Sequence, residues 1–148
     1  MPEPCYRTQR GAEFLPDRKY FAVAEADRAL VLIKRIIADV VCHYSRLGDL
    51  QEALEACPDE QAEAVRRDLL ATIERLQSCL EELDDAGVEL VDWSRGIVNF
   101  PCVADGRCVY LCWEHGEKRI GFWHETDEGF AERQPLDALP AETIVATA

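Results

Sequence analysis

Basic residues are scarce in this 148-residue chain: 16 Lys and Arg stand against 29 Asp and Glu, a formal net charge of −13 with histidine neutral. Binding nucleic acid depends on neutralising phosphates with Lys and Arg, so DNA and RNA are excluded as expected partners. Anionic membrane surfaces are disfavoured for the same reason. No apolar run approaches the ~20 residues of a membrane-spanning helix, and Met1-Pro2-Glu3-Pro4 is not a basic segment leading into an apolar one. The expectation is a soluble, cytoplasmic protein with no membrane partner.

The usual catalytic signatures are missing as well. There is no glycine-rich phosphate loop, serine nucleophile elbow, dinucleotide fingerprint or zinc-protease helix motif. The seven cysteines are odd in number and irregularly placed, which excludes a disulfide framework, and no C-x-x-C pair offers a structural zinc site. They read as reduced thiols behaving as small buried hydrophobes. No cofactor is expected.

What is present is a core: 48% of the residues are hydrophobic, and the length suits one domain. Residues 1–18 have no periodicity and read as an N-terminal arm, and 137–148 as a C-terminal tail, around a domain over 19–136. Leu30, Ile33, Ile37, Val40, Tyr44 and Leu47 recur at steps of three and four, predicting a helix over about 24–47. Gly48 is its expected stop, and Asp49 with Glu52 reads as the start of a short helical piece over Leu50 to Ala56. Pro58 fits the first position of a second helix over about 58–86, with Leu69, Ile73, Leu76, Leu80 and Leu83 as its stripe and Gly87 as a left-handed cap. Two helices so joined pack antiparallel.

After Gly87 the period shortens to alternation, predicting strands between about 88 and 125. Asp105-Gly106 is a strong two-residue hairpin signal and places Phe100 opposite Leu111 and Val98 opposite Trp113. A second tight turn at Gly116-Glu117 would place Leu111 opposite Phe122 and Trp113 opposite Ile120. Val98, Phe100, Cys102, Val109, Leu111, Trp113, Ile120, Phe122 and His124 would then share the face toward the helices. Asn99, Val103, Cys108, Tyr110, Cys112, Gly121 and Trp123 would share the other, with Cys112 and His124 kept apart. Pro101 donates no ladder bond, so it must face an edge or an interruption.

Three constellations carry chemistry. Cys102, Cys108, Cys112, His115, His124 and Glu125 suggest a metal, although packed thiols and an edge histidine explain them as well. Cys112 with His115 or His124 suggests a nucleophile, which needs a lowered thiol pKa that this acidic chain opposes. Glu125, Asp127 and Glu128 with Arg133 suggest a general base or a cation site; the plainer reading is a clasp in which Arg133 pairs with Glu125 or Asp127 and Phe130 folds back as a plug.

An ordered string of short motifs adds to this: Lys19-Tyr20-Phe21, Gly87-Val88-Glu89-Leu90, Asn99-Phe100-Pro101, Asp105-Gly106-Arg107, Tyr110-Leu111-Cys112-Trp113, Gly116-Glu117, Phe122-Trp123-His124 and Gly129-Phe130-Ala131-Glu132-Arg133-Gln134-Pro135-Leu136. Over about residues 19–136 it resembles the prokaryotic domain of unknown function 2203. The resemblance implies a single bacterial cytoplasmic domain and brings no activity, substrate or cofactor with it. This chain has Ala22 where that pattern has a threonine cap, which forfeits ~1 kcal/mol of capping.

The reading is an α+β fold, an antiparallel helical hairpin packed on one face of a three- to four-stranded antiparallel β-meander. The candidate binding surface is Tyr110, Cys112, Trp113, Trp123, His124, Glu125, Asp127 and Arg133. The expected function is a noncatalytic binding or interaction module that forms a homo-oligomer and takes a small-molecule or protein ligand. The alternative is a metal-dependent or Cys/His enzyme with its site around His124, Glu125, Asp127 and Arg133.

Overall fold

A computed structural model describes residues 18–138 and 143–144. Most of the expected arm and tail therefore lies outside the described residues. Helix α1 spans Val23–Ala56 and helix α2 spans Asp59–Ala86. Strands β1 (Glu89–Asp92), β2 (Ile97–Ala104), β3 (Arg107–Glu114) and β4 (Phe122–Glu125) follow, then the two-residue strands β5 (Gln134–Pro135) and β6 (Thr143–Ile144). The sheet order is β1-β2-β3-β4-β5, every pair antiparallel, with β6 added to the far end of β2. This is the α+β architecture expected from the sequence.

Helix α1 begins without a side-chain cap on its amides, because Ala22 has no acceptor. Only half of a capping box survives: the Ala22 amide donates to Glu25 Oε1 at 2.8 Å. The expected stop at Gly48 does not occur. Gly48 holds an ordinary helical conformation, and α1 runs through it until Cys57 turns extended. A glycine inside a helix costs only ~1 kcal/mol relative to alanine, and Leu50, 8% exposed one half-turn later, outweighs that by packing in the hairpin. Pro58 sits just before α2 instead of inside it, and left-handed Gly87 (φ 83) closes α2 as expected.

One face of the sheet meets the hairpin. Ile33, Ile37 and Val40 of α1 join Val98, Phe100, Leu111, Trp113, Ile120 and Trp123 in one buried cluster. Helix α2 reaches it through Leu76, Cys79 and Leu83, with buried Thr72 one turn earlier. Leu69, Ile73 and Leu80 of the expected stripe are only half-buried. The 34 residues of α1 span ~50 Å against ~27 Å for an eight-residue strand. Consequently residues 48–75 of the hairpin contribute nothing to that core cluster.

The Asp105-Gly106 turn sets the β2–β3 register as expected, with Phe100 opposite Leu111 and Val98 opposite Trp113. The β3–β4 register is one residue away from expectation: Tyr110 pairs with His124, Leu111 with Trp123 and Cys112 with Phe122. The cause is tertiary. The Ile120 amide donates to Asp27 Oδ1 at 2.8 Å, and Lys34 Nζ donates to the Lys118 carbonyl at 2.7 Å. The connection is thus pulled onto α1, and β4 resumes with one residue more than a two-residue turn allows. Because strand side chains alternate, this shift exchanges the two faces of β4.

Candidate functional site

The face of the sheet turned away from the hairpin carries Asn99, Pro101 and Val103 from β2, Cys108, Tyr110 and Cys112 from β3, and Phe122 and His124 from β4. Cys112 and His124 therefore share a face, against the expectation that the pleat separates them. Trp123 moves the other way, into the core at 4% exposure, and Trp113 is buried beside it with Nε1 donating to the Glu117 carbonyl at 3.0 Å. Neither tryptophan presents a binding surface. The pyrrole nitrogen of Trp123 is buried without a partner among the described residues.

The outer face is not an open aromatic wall. At one end Tyr20 packs on Val103 and Cys108, reached through the Phe21 amide, which donates to the Pro101 carbonyl at 2.7 Å. That bond lies on the side of β2 where β1 has already ended, so Pro101 faces an interruption in the sheet, as its missing amide requires. Arg18 extends this cover: it pairs with Glu89 of β1 and donates to Tyr110 Oη at 3.0 Å. At the other end Arg133 stacks on Phe122 and Phe130, each ring centroid 4.0 Å away. Arg95 also lies over the Phe130 ring, 4.6 Å from its centroid, which makes Phe130 the plug its position after Gly129 suggests.

Each expected ionic partner is replaced by another. Arg133 pairs with Glu117, donating at 2.6 and 3.2 Å, and not with Glu125 or Asp127. Glu125, 5% exposed, is gripped by Arg107 through Nε at 3.0 Å and Nη2 at 2.5 Å. The change at Glu125 follows from the register shift, which sets Glu125 opposite Val109, on the face of β3 that Arg107 shares. Asp127 is exposed in the following turn. His124 is 2% exposed, its Nδ1 2.7 Å from the Glu125 carbonyl. A carbonyl only accepts, so Nδ1 carries the proton and the imidazole is locked in that orientation. Its ring meets Tyr110 edge-on at 5.8 Å.

The electrostatics disfavour nucleophilic chemistry at Cys112. Burial pushes its thiol up to about 11, against the opposing pull of Arg133. A reactive thiol needs the opposite shift. Among the described residues, no three of His, Cys, Asp and Glu converge on a common point that could hold a metal. Asn99, 7% exposed and directly across from Cys112, has a buried Oδ1 with no hydrogen-bond partner among the described residues. The Asp105-Gly106 turn already implied that Asn99 faces Cys112. Nothing in the spacing of the chain pointed to Arg18, Glu89, Arg107 or Glu117, whose roles depend on contacts between distant segments.

A long helical hairpin laid on an antiparallel meander, with its outer sheet face closed by arginine–aromatic stacks, defines the class of this α+β protein. The chain belongs to the family described as Uncharacterized conserved protein (DUF2203), matched over residues 19–136. No curated protein and no solved structure matches it. Among the described residues no helix is long and apolar enough to cross a membrane.

Proposed function

We propose that this protein is a noncatalytic interaction module that self-associates through the outer side of its helical hairpin, in the cytoplasm of a bacterium. The observation that carries this reading is Leu32, 52% exposed at the mouth of a groove of about 400 Å³ between the helices, lined by Leu32, Ile36, Glu82, Asp85 and Ala86. A leucine left half in water beside an apolar groove forgoes much of the ~1.5–3 kcal/mol that full burial contributes. A second copy laid along the same groove recovers it, and two hairpins so joined make the four packed helices of a bundle. The noncatalytic half of the reading is supported by the engaged state of the former candidates. Glu125 and Arg133 are consumed in ion pairs, and the Cys112 thiol is held protonated.

The test is sedimentation over a range of concentrations. The native chain is expected to behave as a dimer, and Leu32→Glu as a monomer with unchanged far-UV circular dichroism. A native chain that stays monomeric at the highest concentration overturns the reading.

A further inference from the structure

We infer that the partner on this face is a second copy of the chain, related by a two-fold axis parallel to the helices, so that α1 of each copy lies against α2 of the other. The inference rests on the self-association reading and adds its geometry.

The outer side of α1 is marked by Arg28, Leu32, Arg35, Asp39 and Arg46, spaced at steps of three, four and seven and all exposed. The outer side of α2 carries Asp68, Arg75, Glu82 and Asp85 at the same kind of spacing, also exposed. Their levels along the hairpin are fixed at two points. Arg46 lies 3.9 Å from Asp68, and Leu32 shares a groove with Glu82. Moving seven residues back along α1 from Arg46 and seven forward along α2 from Asp68 brings Asp39 level with Arg75; seven more bring Leu32 level with Glu82. A third observation agrees: after burial, the charges of Asp39 and Glu82 are what push the Cys79 thiol upward.

The charges are uniformly opposite at the level of the groove, where Arg28 and Arg35 are level with Glu82 and Asp85; at the other two levels exposed Arg67 and Glu74 stand next to Asp68 and Arg75. Arg46 stands beside Asp68, Asp39 beside Arg75, and the Arg28 and Arg35 pair beside Glu82 and Asp85. Of these, only Arg46 and Asp68 come within ion-pair distance in the single chain, among the described residues, and at 55% and 60% side-chain exposure they remain largely in water.

The symmetry options are few. An isologous contact between two such faces needs its two-fold axis in the plane of contact. An axis across the helices lays α1 on α1 and α2 on α2; passing through the groove at Leu32 and Glu82, it brings Arg28 near the partner's Arg35 and Glu82 onto its own copy. An axis along the helices keeps every residue at its own level and exchanges left for right. Each α1 then faces the partner's α2, antiparallel, and Arg28 and Arg35 meet Glu82 and Asp85 across the seam while Leu32 closes on the groove of the partner. Complementary charges of this kind set register and orientation more than raw affinity.

The test is a charge swap with rescue on the full chain. R28E/R35E and E82R/D85R each place like charges across both seams of a homodimer, and each is expected to weaken dimerisation at least about tenfold by sedimentation equilibrium. Mixed in equal amounts, the two variants are expected to form a heterodimer at close to native affinity, since the swap then matches on both seams. Both variants dimerising like the native chain overturns this geometry while leaving self-association in place, as does loss of dimer without rescue on mixing. A monomeric native chain overturns both. All four residues are exposed, and circular dichroism checks that each variant is folded.

Discussion

At the scale of single residues, the ion pair between Arg107 and Glu125 shows what replaced the expected acidic site. The Glu125 side chain is 7% exposed and that of Arg107 27%, so the carboxylate depends on its partner far more than the guanidinium does. Removing one member of a buried pair leaves the other charge uncompensated, at a cost of ~3–5 kcal/mol when both are fully buried. Arg107→Ala is therefore expected to destabilise the fold by about 3 kcal/mol. Glu125→Gln, which keeps the shape and leaves a guanidinium that can reach water, should cost about 1–2 kcal/mol. Urea denaturation of the two variants checks the order. If Glu125→Gln proved the more damaging, Glu125 would have a task beyond this clasp.

The same residue scale is where the chain was least legible. Glu125, Asp127 and Arg133 are close in sequence, and proximity suggested that they pair. The actual partners, Arg107 and Glu117, sit 18 and 16 positions away from Glu125 and Arg133 and meet them only because β3, β4 and the following turn fold together. Tyr110 and Cys112 did fall on one sheet face as alternation requires, and His124 joined them only through the shifted register.

At the scale of elements, both helices, the β2–β3 hairpin and the cap at Gly87 could be read directly, because each is specified locally. Asp105 and Gly106 both take positive φ, 54° and 76°, the two-residue turn that fixes register on its own. The β3–β4 connection could not be read, since its length is set by the Asp27 and Lys34 contacts from α1, 93 and 84 residues away. Gly48 misled for a related reason: a glycine is a stop only if the chain uses its freedom. Two glycines separate the cases. A Cβ at Gly48 would meet no described residue within 4 Å, whereas at Gly96, where φ is +72°, it would lie 2.7 Å from both Ile37 Cγ2 and His115 Cβ. Gly48→Ala is expected to stabilise the protein by up to ~1 kcal/mol. Gly96→Ala should destabilise it by about 2–4 kcal/mol, from backbone strain and from overpacking against α1. Thermal unfolding of both variants decides it; a destabilised Gly48→Ala would mean that α1 does break there.

At the scale of the whole molecule, the thiols are the feature that ties composition to stability. Burial, as the first cause in each, raises Cys102 to about 12 and Cys112 to about 11, and raises Cys108 and Cys79 as well. A thiol held neutral in the fold gains nothing from folding at neutral pH, where the unfolded chain also keeps its proton. Once pH exceeds the ordinary thiol range, the unfolded chain releases protons that the native state retains, and stability falls with rising pH. The decline belongs to the window from about pH 8.5, the usual thiol value, up to about 11, where Cys112 also ionises in the native state. Urea midpoints measured from pH 7.5 to 10.5 should hold steady and then drop, and the drop should be shallower in a Cys102→Ala, Cys112→Ala double variant because two proton-releasing groups are gone from the unfolded chain. A thiol reagent gives the kinetic counterpart on the native protein: exposed Cys42 should react quickly and buried Cys112 slowly at pH 7.5. Were Cys112 to match Cys42 in rate, the outer sheet face would be open to solvent, the cover of Arg133 and Phe130 would be transient, and the enzymatic reading of His124 and Cys112 would regain its footing.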